Sequence, residues 1–195
     1  MEDTIEDIHH FWFGELDENG MCCAAQHSLW FTRSDATDAT VRERFGALLK
    51  RGAAGELDDW ALTDRGLVAL VVLLDQFSRN IHRDRPAAFA ADPRALELAL
   101  KVIEDGRHLR LPTIHRVFLY LPLEHAEDLQ MQEQCVDLFR ALSENGNEAL
   151  QDFTRYAVAH RDVIARFRRF PHRNAILGRS SSAEELDYLR THGGF

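Results

Sequence analysis

The sequence is poor in lysine and cysteine, and it contains no long apolar run. Only two lysines stand beside 21 arginines. The three cysteines, Cys22, Cys23 and Cys135, match neither a disulfide framework nor the C-x-x-C spacing of metal and redox sites. The longest apolar run, residues 67–74, is far shorter than the roughly 20 residues that a membrane-spanning helix needs. These absences predict a soluble, cytoplasmic protein with reduced thiols.

The charge balance restricts the possible partners. The chain of 195 residues carries a formal net charge of −9, which argues against a protein that binds nucleic acid over its whole surface. No basic residue precedes Arg33, so the first residues do not resemble a secretion signal. Hydrophobic residues make up 45% of the chain, enough to bury a core, and no linker composition is visible. We expect a single domain over residues 1–195.

Apolar residues recur at helical spacing in nearly every segment, and none alternates long enough to indicate a strand. This pattern predicts an all-α, antiparallel array of about eight helices. They lie at about 5–13, 41–51, 65–81, 93–105, 114–122, 123–142, 148–170 and 183–192. The side chains predicted to cap helix starts are Asp35 or Asp38, Thr63 or Asp64, Asp92, and Ser182, which opens a capping box.

Two prolines and one glycine are expected to interrupt the last helices. Pro122 should kink the helix or restart it at Leu123, because the proline ring clashes with the carbonyl four residues earlier. The dipeptide Asn145-Gly146 predicts a turn, and Pro171 should end the long helix at Phe170.

The first candidate polar site lies at the end of the helix predicted for residues 65–81. That helix begins apolar on all sides and then runs into Asp75-Gln76-Phe77-Ser78-Arg79-Asn80. Asp75 and Arg79 stand four residues apart, acid first, which favours an ion pair on one helical face. The pair either marks a site or ties the helix to its neighbours.

The second candidate site lies in a helical hairpin. All five charged residues of segment 124–137 are acidic, whereas segment 155–179 has seven arginines and one aspartate. If the helices pack antiparallel, residues whose numbers add up to about 291 face each other. Glu124 is then opposite Phe167, and His125 is opposite Arg166. This pairing either builds a site or sets the helix register.

The residues of this hairpin offer several kinds of chemistry. His125 or His172 could act as a general acid or base beside the carboxylates, whereas His160 lies on an apolar stripe and is expected to be a core residue. The spacing in Glu124 to Asp128 does not match a Glu-x-x-His metal site, so we predict no metal. No nucleophile or phosphate-binding motif is present, and any cofactor stays unknown.

The arginines favour recognition of an anion, because a guanidinium can bind a carboxylate or phosphate through two parallel hydrogen bonds. We therefore predict a site for a small anionic or zwitterionic ligand or a peptide end, without nucleic-acid or membrane partners. The predicted ligand-binding residues are Asp75, Gln76, Arg79, Asn80, Glu124, Asp128, Arg166, Arg173 and Asn174. The alternatives are an enzyme that uses His125 or His172, and a protein-interaction scaffold held by an internal ion network. A pocket lined by these residues would favour binding, and a closed network would favour the scaffold.

Several of these segments together resemble the bacterial domain of unknown function family 924. The resemblance rests on 11–14 (F-W-F-G), 30–31 (W-F), 75–81 (D-Q-F-S-R-N-I), 88–92, 121–128 (L-P-L-E-H-A-E-D) and 166–174. It implies an all-helical, tetratricopeptide-like superhelix. It implies no activity and no catalytic residue.

The chain departs from the family pattern at two places. The family reads R-F-G-R-F-P-H-R-N, and Arg168 stands in the place of the glycine, which we expect to serve close helix contact. The family also reads I-F-R-G-T-P where this chain has Ile81-His82-Arg83-Asp84-Arg85-Pro86. Ligand contacts of that loop are expected to differ.

Overall fold

The computed structural model describes residues 4–144 and 148–194, and the helices within these ranges confirm the all-α prediction. The α-helices are α1 Ile5–Trp12, α2 Ala25–Phe31, α3 Asp35–Ala53, α4 Asp64–Val71, α5 Ser78–Ile81, α6 Asp92–Glu104, α7 Thr113–Glu124, α8 Leu129–Ser143, α9 Glu148–Phe167 and α10 Ala183–His192. A π-helical segment, Val72–Phe77, joins α4 to α5. Within the described ranges, extended pairing is limited to one isolated bridge between Leu16 and Cys22. The superhelix and the single domain stay predictions.

Two of the predicted helix caps are confirmed. The Thr63 hydroxyl accepts a hydrogen bond from the Gly66 amide, and Ser182 forms the expected capping box with Glu185. At α3 the prediction was wrong, because Ser34 is the cap. Helix α2 was not predicted, because seven residues are too few to show a clear helical pattern of apolar side chains.

The predicted helix start at Leu123 was wrong, because α7 continues through Pro122 to Glu124 and the next helix, α8, begins at Leu129. The chain leaves the helix only over residues 125–128, and the Asp128 side chain then caps α8 by accepting hydrogen bonds from the Gln130 and Met131 amides.

The buried Gln132 side chain covers the end of α7. Its amide nitrogen donates to the carbonyl oxygens of Leu123, Glu124 and Ala126, at 3.3, 2.5 and 2.8 Å. The last carbonyl groups of a helix have no hydrogen-bond donor within the helix, so this amide takes the place of the backbone N–H groups that a further helical turn would supply.

Helix α9 ends at Phe167 rather than at Phe170, because Arg168 has φ +61°. The other non-glycine residue with positive φ among the described residues is Asp84, at +60°. Both stand where the family pattern has glycine, which adopts this left-handed conformation without a steric penalty. A glycine in place of Arg168 would therefore suit this backbone conformation, and its expected role in close helix contact stays a prediction.

Contacts divide the chain into two compact units. The first consists of the chain up to Arg83 and of Ala87–Pro122, and the second of Asp84–Pro86 and the chain from Leu123 onward. The core of the first unit combines many aliphatic side chains with the buried aromatic rings of Trp12, Phe13, Phe45, Phe77 and Phe118.

The second unit contains α8 and α9, which pack against each other. The rings of Phe139 and Phe153 stack 6.2 Å apart, which confirms the predicted antiparallel register near the turn. The turn itself, at Asn145-Gly146, lies outside the described residues. Among the described residues, no helix combines the length and the apolar character needed to cross a bilayer.

Candidate functional site

The predicted site residues fall into two groups, one in each unit. The first unit contains Asp75, Gln76, Arg79 and Asn80. The second contains Glu124, His125, Asp128, Arg166, His172, Arg173 and Asn174.

In the first unit, the predicted ion pair between Asp75 and Arg79 is confirmed, with Arg79 Nη1 3.2 Å from Asp75 Oδ1. Arg79 also donates two hydrogen bonds to Asp92, from Nη1 to Oδ1 (2.8 Å) and from Nη2 to Oδ2 (3.0 Å). Asp92 was predicted to cap α6, but Ala91 holds that position and the Asp92 carboxylate binds Arg79 instead. Gln76 donates to the fully buried Asp75 at 2.5 Å.

The next two polar residues of this segment bind elsewhere in the same unit. The Ser78 hydroxyl contacts the carbonyl oxygens of Asp75 and Ala88 at 3.1 Å. Asn80 donates to Asp38, which was predicted as a helix cap and instead accepts two further hydrogen bonds from Arg83.

Burial would raise the pKa of Asp38, but the hydrogen bonds from Arg83 and Asn80 outweigh this effect and lower it. We call Asp38, Asp75, Arg79, Asn80, Arg83 and Asp92 the first-unit network. Its two arginines each hold an aspartate through both carboxylate oxygens, an arrangement that ties helices together.

The second unit contains two ion pairs that the sequence did not reveal. Glu127 accepts hydrogen bonds from Arg179 at 2.6 and 2.8 Å and from the Phe170 amide at 2.8 Å. Glu185 accepts two from Arg169, at 2.7 and 2.9 Å. Glutamate and arginine are common on protein surfaces, so the sequence gives no sign of these two pairs, and only the folded chain brings the partners of each pair together.

Three predicted residues of this unit have structural contacts. Asp128 caps α8, and the Asn174 side chain bonds to Ser181 and Arg179. The predicted pairing of Arg166 with the acidic segment was wrong, because Arg166 donates to Glu184 at 2.8 Å. Helix α7 extends to Glu124, so residues 124 and 125 lie outside α8 and the hairpin register does not reach them.

The remaining predicted residues surround the Phe170 ring. The Arg173 guanidinium lies 4.5 Å from the ring centre, and the rings of His160 and His172 lie 5.6 and 5.5 Å from it. The His125 ring is 6.4 Å from that of His160. Together with Glu124, whose Oε1 is 3.4 Å from His160 Nδ1, these side chains are called the histidine cluster. His125 and His172 are partly exposed, whereas Glu124, His160 and Arg173 are buried.

Burial keeps two imidazoles of the cluster neutral. It lowers the pKa of His160 to about 3, although the hydrogen bond between Nδ1 and the Tyr156 carbonyl oxygen raises it. Burial also lowers the pKa of His172 to about 4, and the charge of Arg173 lowers it further. The carbonyl of Tyr156 can only accept, so Nδ1 of His160 carries the proton and Nε2 is the basic nitrogen.

None of Cys22, Cys23 and Cys135 is part of a disulfide. Burial raises the pKa of the Cys22 thiol to about 11 and also raises that of the Cys135 thiol. In the ranges that the structure describes, no three His, Cys, Asp or Glu side chains gather as a metal site would require.

Two described cavities lie in the first unit and involve other residues. One, of about 760 Å³, is lined by the N-terminal ends of α1 and α4 together with Leu48, Leu57 and Trp60. The other, of about 450 Å³, is lined by residues 16–20 and 110–113. Neither is lined by a residue that was predicted as part of the site.

Comparisons with known proteins agree with the resemblance seen in the sequence. A solved structure of a protein of unknown function from Agrobacterium tumefaciens is 36% identical, with a TM-score of 0.82 over 96% of this chain and 97% of that one. No curated protein matches. The model of a family described as bacterial protein of unknown function, DUF924, matches residues 8–193. With nearly the whole chain matched, this protein belongs to the DUF924 family.

Proposed function

We propose that the second unit binds a small anionic or zwitterionic ligand at the histidine cluster. The observation that carries the proposal is the buried Arg173, stacked on Phe170 beside imidazoles that stay neutral at pH 7. A guanidinium keeps its charge when buried, and a lower local dielectric strengthens its attraction for an anion.

The exposure of the cluster supports access from solvent. His125 and His172 are partly exposed, so a ligand can reach the edge of the cluster without crossing the core. Neutral imidazoles can donate or accept hydrogen bonds, and the Glu124 carboxylate suits the ammonium group of a zwitterion. The proposed ligand-binding residues are therefore Glu124, His125, His172 and Arg173. The first-unit network is assigned a structural role.

A second candidate function, acid–base catalysis, draws support from the contact between His160 and Glu124. Their 3.4 Å separation resembles a carboxylate that orients a catalytic imidazole. However, pKa values of about 3 and 4 make His160 and His172 weak bases at neutral pH. Ligand binding without catalysis is therefore the better proposal.

The experiment titrates the isotope-labelled protein with inorganic phosphate, acetate and glycylglycine, and follows the imidazole resonances of His125 and His172. We expect saturable shifts with at least one probe. Arg173→Gln should weaken its affinity by at least about tenfold, the loss expected for a charge-assisted hydrogen bond pair. Arg166→Gln is the matched control, because Arg166 pairs with the exposed Glu184, and its affinity should stay within about twofold.

Two results would contradict the proposal. In one, all three probes leave both imidazoles unchanged at concentrations up to tens of millimolar. In the other, Arg173→Gln lowers the free energy of unfolding by about 3 to 5 kcal/mol, the cost of breaking a buried ion pair. That outcome would make the cluster an internal ion network and favour the scaffold.

A further inference from the structure

Helix α10 and the two glycines that follow it form a C-terminal strap, residues 183–194, with an unusually polar attachment. Of the residues of α10, only Glu185 is buried. Its carboxylate holds Arg169 through both oxygens and also accepts a hydrogen bond from the Ser182 amide at 2.7 Å. The Arg169 hydrogen bond lowers the pKa of Glu185 to about 2, so the pair is charged at neutral pH.

The other contacts of the strap are weaker. Glu184 and Arg166 form an exposed pair at 2.8 Å, and exposed ion pairs contribute little to stability because water screens them. The Tyr188 ring meets the Phe167 ring edge-on at 5.2 Å, and both are only partly buried. A helix of ten residues has little stability of its own in water, so α10 depends on these contacts to remain folded.

The end of the strap lies directly on the histidine cluster. A Cβ atom at Gly194 would come within 2.8 Å of the Cβ atom of His172 and within 3.2 Å of its Cγ atom. Real Cβ atoms do not approach so closely, so the strap backbone covers His172 at a distance that only glycine permits.

We propose that the C-terminal strap is a releasable cover over His172, held mainly by the ion pair between Glu185 and Arg169, and that its release opens the histidine cluster to ligands. The part that concerns ligands rests on the proposed function. The covering of His172 does not, and it can be measured without a ligand.

Local unfolding of the strap explains how the cover would open. Segments with few buried apolar contacts open at a lower free energy than the core, and loss of an ion pair whose carboxylate is buried shifts that equilibrium further. On release, His172 gains water. Its remaining neighbours would be the charged or titratable side chains that already act on it, namely Arg173, Glu127, His125 and Arg179.

The test compares Glu185→Gln with the matched control Glu184→Gln in the full chain. Amide hydrogen exchange along α10 reports release, and the pKa of His172, measured by NMR, reports uncovering. In Glu185→Gln we expect faster exchange in α10, a His172 pKa raised from about 4 toward 6.5, and at least about tenfold faster carbethoxylation of His172, mapped by mass spectrometry. Glu184→Gln should change none of these.

A second pair of variants tests the contact itself. Gly194→Ala should displace the end of the strap and raise the reactivity of His172, whereas Gly46→Ala, where a Cβ meets nothing within 4 Å, should not. The proposal is overturned if α10 is released while the pKa and reactivity of His172 stay unchanged. It is also overturned if exchange in α10 is unaffected by Glu185→Gln.

The ligand step has its own readout. If the strap variants bind inorganic phosphate more tightly than the wild type, the strap limits access to the cluster. If phosphate binds to none of them while His172 responds as expected, the proposed function fails and the cover stands.

Discussion

The first-unit network and the histidine cluster contain similar residue types in opposite arrangements. In the first, Arg79 and Arg83 each engage an aspartate through both carboxylate oxygens, and Arg79 also contacts Asp75, so two guanidinium groups bind three carboxylates. In the second, one buried guanidinium stacks on a phenylalanine among imidazoles. The polar side chains of a distinctive sequence motif can thus bind partners within the fold. The segment 75–80 is held by its structural partners.

The largest expected effect comes from removing one arginine from each region. Arg79→Ala should lower the free energy of unfolding by about 3 to 5 kcal/mol, because it leaves the buried Asp75 and the nearby Asp92 without their guanidinium. Arg173→Ala should cost less, about 1 to 2 kcal/mol, from lost packing on Phe170 and from the lost attraction between its charge and the Glu127 carboxylate. Urea denaturation of both variants measures the difference. Equal losses would remove the distinction between the two regions.

An effect of intermediate size concerns how the free energy of unfolding depends on pH through two buried histidines, one in each unit. Burial lowers the pKa of His115 in the first unit to about 3, and Nε2 of His115 has no hydrogen-bond partner. His160 in the second unit also has a pKa of about 3, but its Nδ1 donates to the Tyr156 carbonyl. Both folded-state pKa values lie below the unfolded value of 6.5, so the unfolded chain binds more protons. Each histidine's contribution is fully present above pH 6.5 and is lost as the pH falls toward 3.

From pH 7 to pH 5, each of these histidines should account for about 2 kcal/mol of lost stability. His115→Phe should remove that part of the loss without cost at pH 7, since the ring lies 4.5 Å from Phe13 in an aromatic core. His160→Phe should remove a similar part but cost about 1 kcal/mol at pH 7 for its hydrogen bond. Denaturation curves at pH 7, 6 and 5 check both variants. An unchanged slope in His115→Phe would show that another group governs acid sensitivity.

The smallest expected effect concerns the two left-handed residues. Arg168→Gly should stabilise the protein by about 1 kcal/mol, because the left-handed conformation at φ +61° is strained for arginine. Asp84→Gly should gain less than about 0.5 kcal/mol, since aspartate tolerates that conformation better. Thermal or urea denaturation with each single variant gives the comparison. A loss of stability in Arg168→Gly would mean that the arginine side chain contributes more than its backbone costs.

Local patterns made much of the fold predictable. The cap residues Thr63 and Ser182 and the apolar spacing of α1, α4 and α9 act within a few residues, so they can be identified in the sequence. The end of α7 was not predictable. The Gln132 side chain that binds its last carbonyl oxygens lies eight residues after Glu124, and only the folded chain shows that contact. Asp92 and Asp38 were misassigned for the same reason. As caps they would bind neighbouring amides, but in the fold they bind arginines distant in sequence.

The candidate site was partly predictable. His125, His172, Glu124 and Arg173 could be named from residue type and from their position near helix interruptions. The roles of Glu127, Arg179, Arg169 and Glu185 could not, because charged surface residues pair according to distance in space and not according to spacing in sequence.

The sequence by itself determined the helical class and the local charge of each segment, because helical periodicity and composition are properties of neighbouring residues. The number and spacing of the cysteines argued against a disulfide framework in the same way. The fold then sets which carboxylates and which aromatic rings each arginine contacts. Coulombic and hydrogen-bond energies depend on ångström distances between residues far apart in the chain, and no sequence pattern contains those distances.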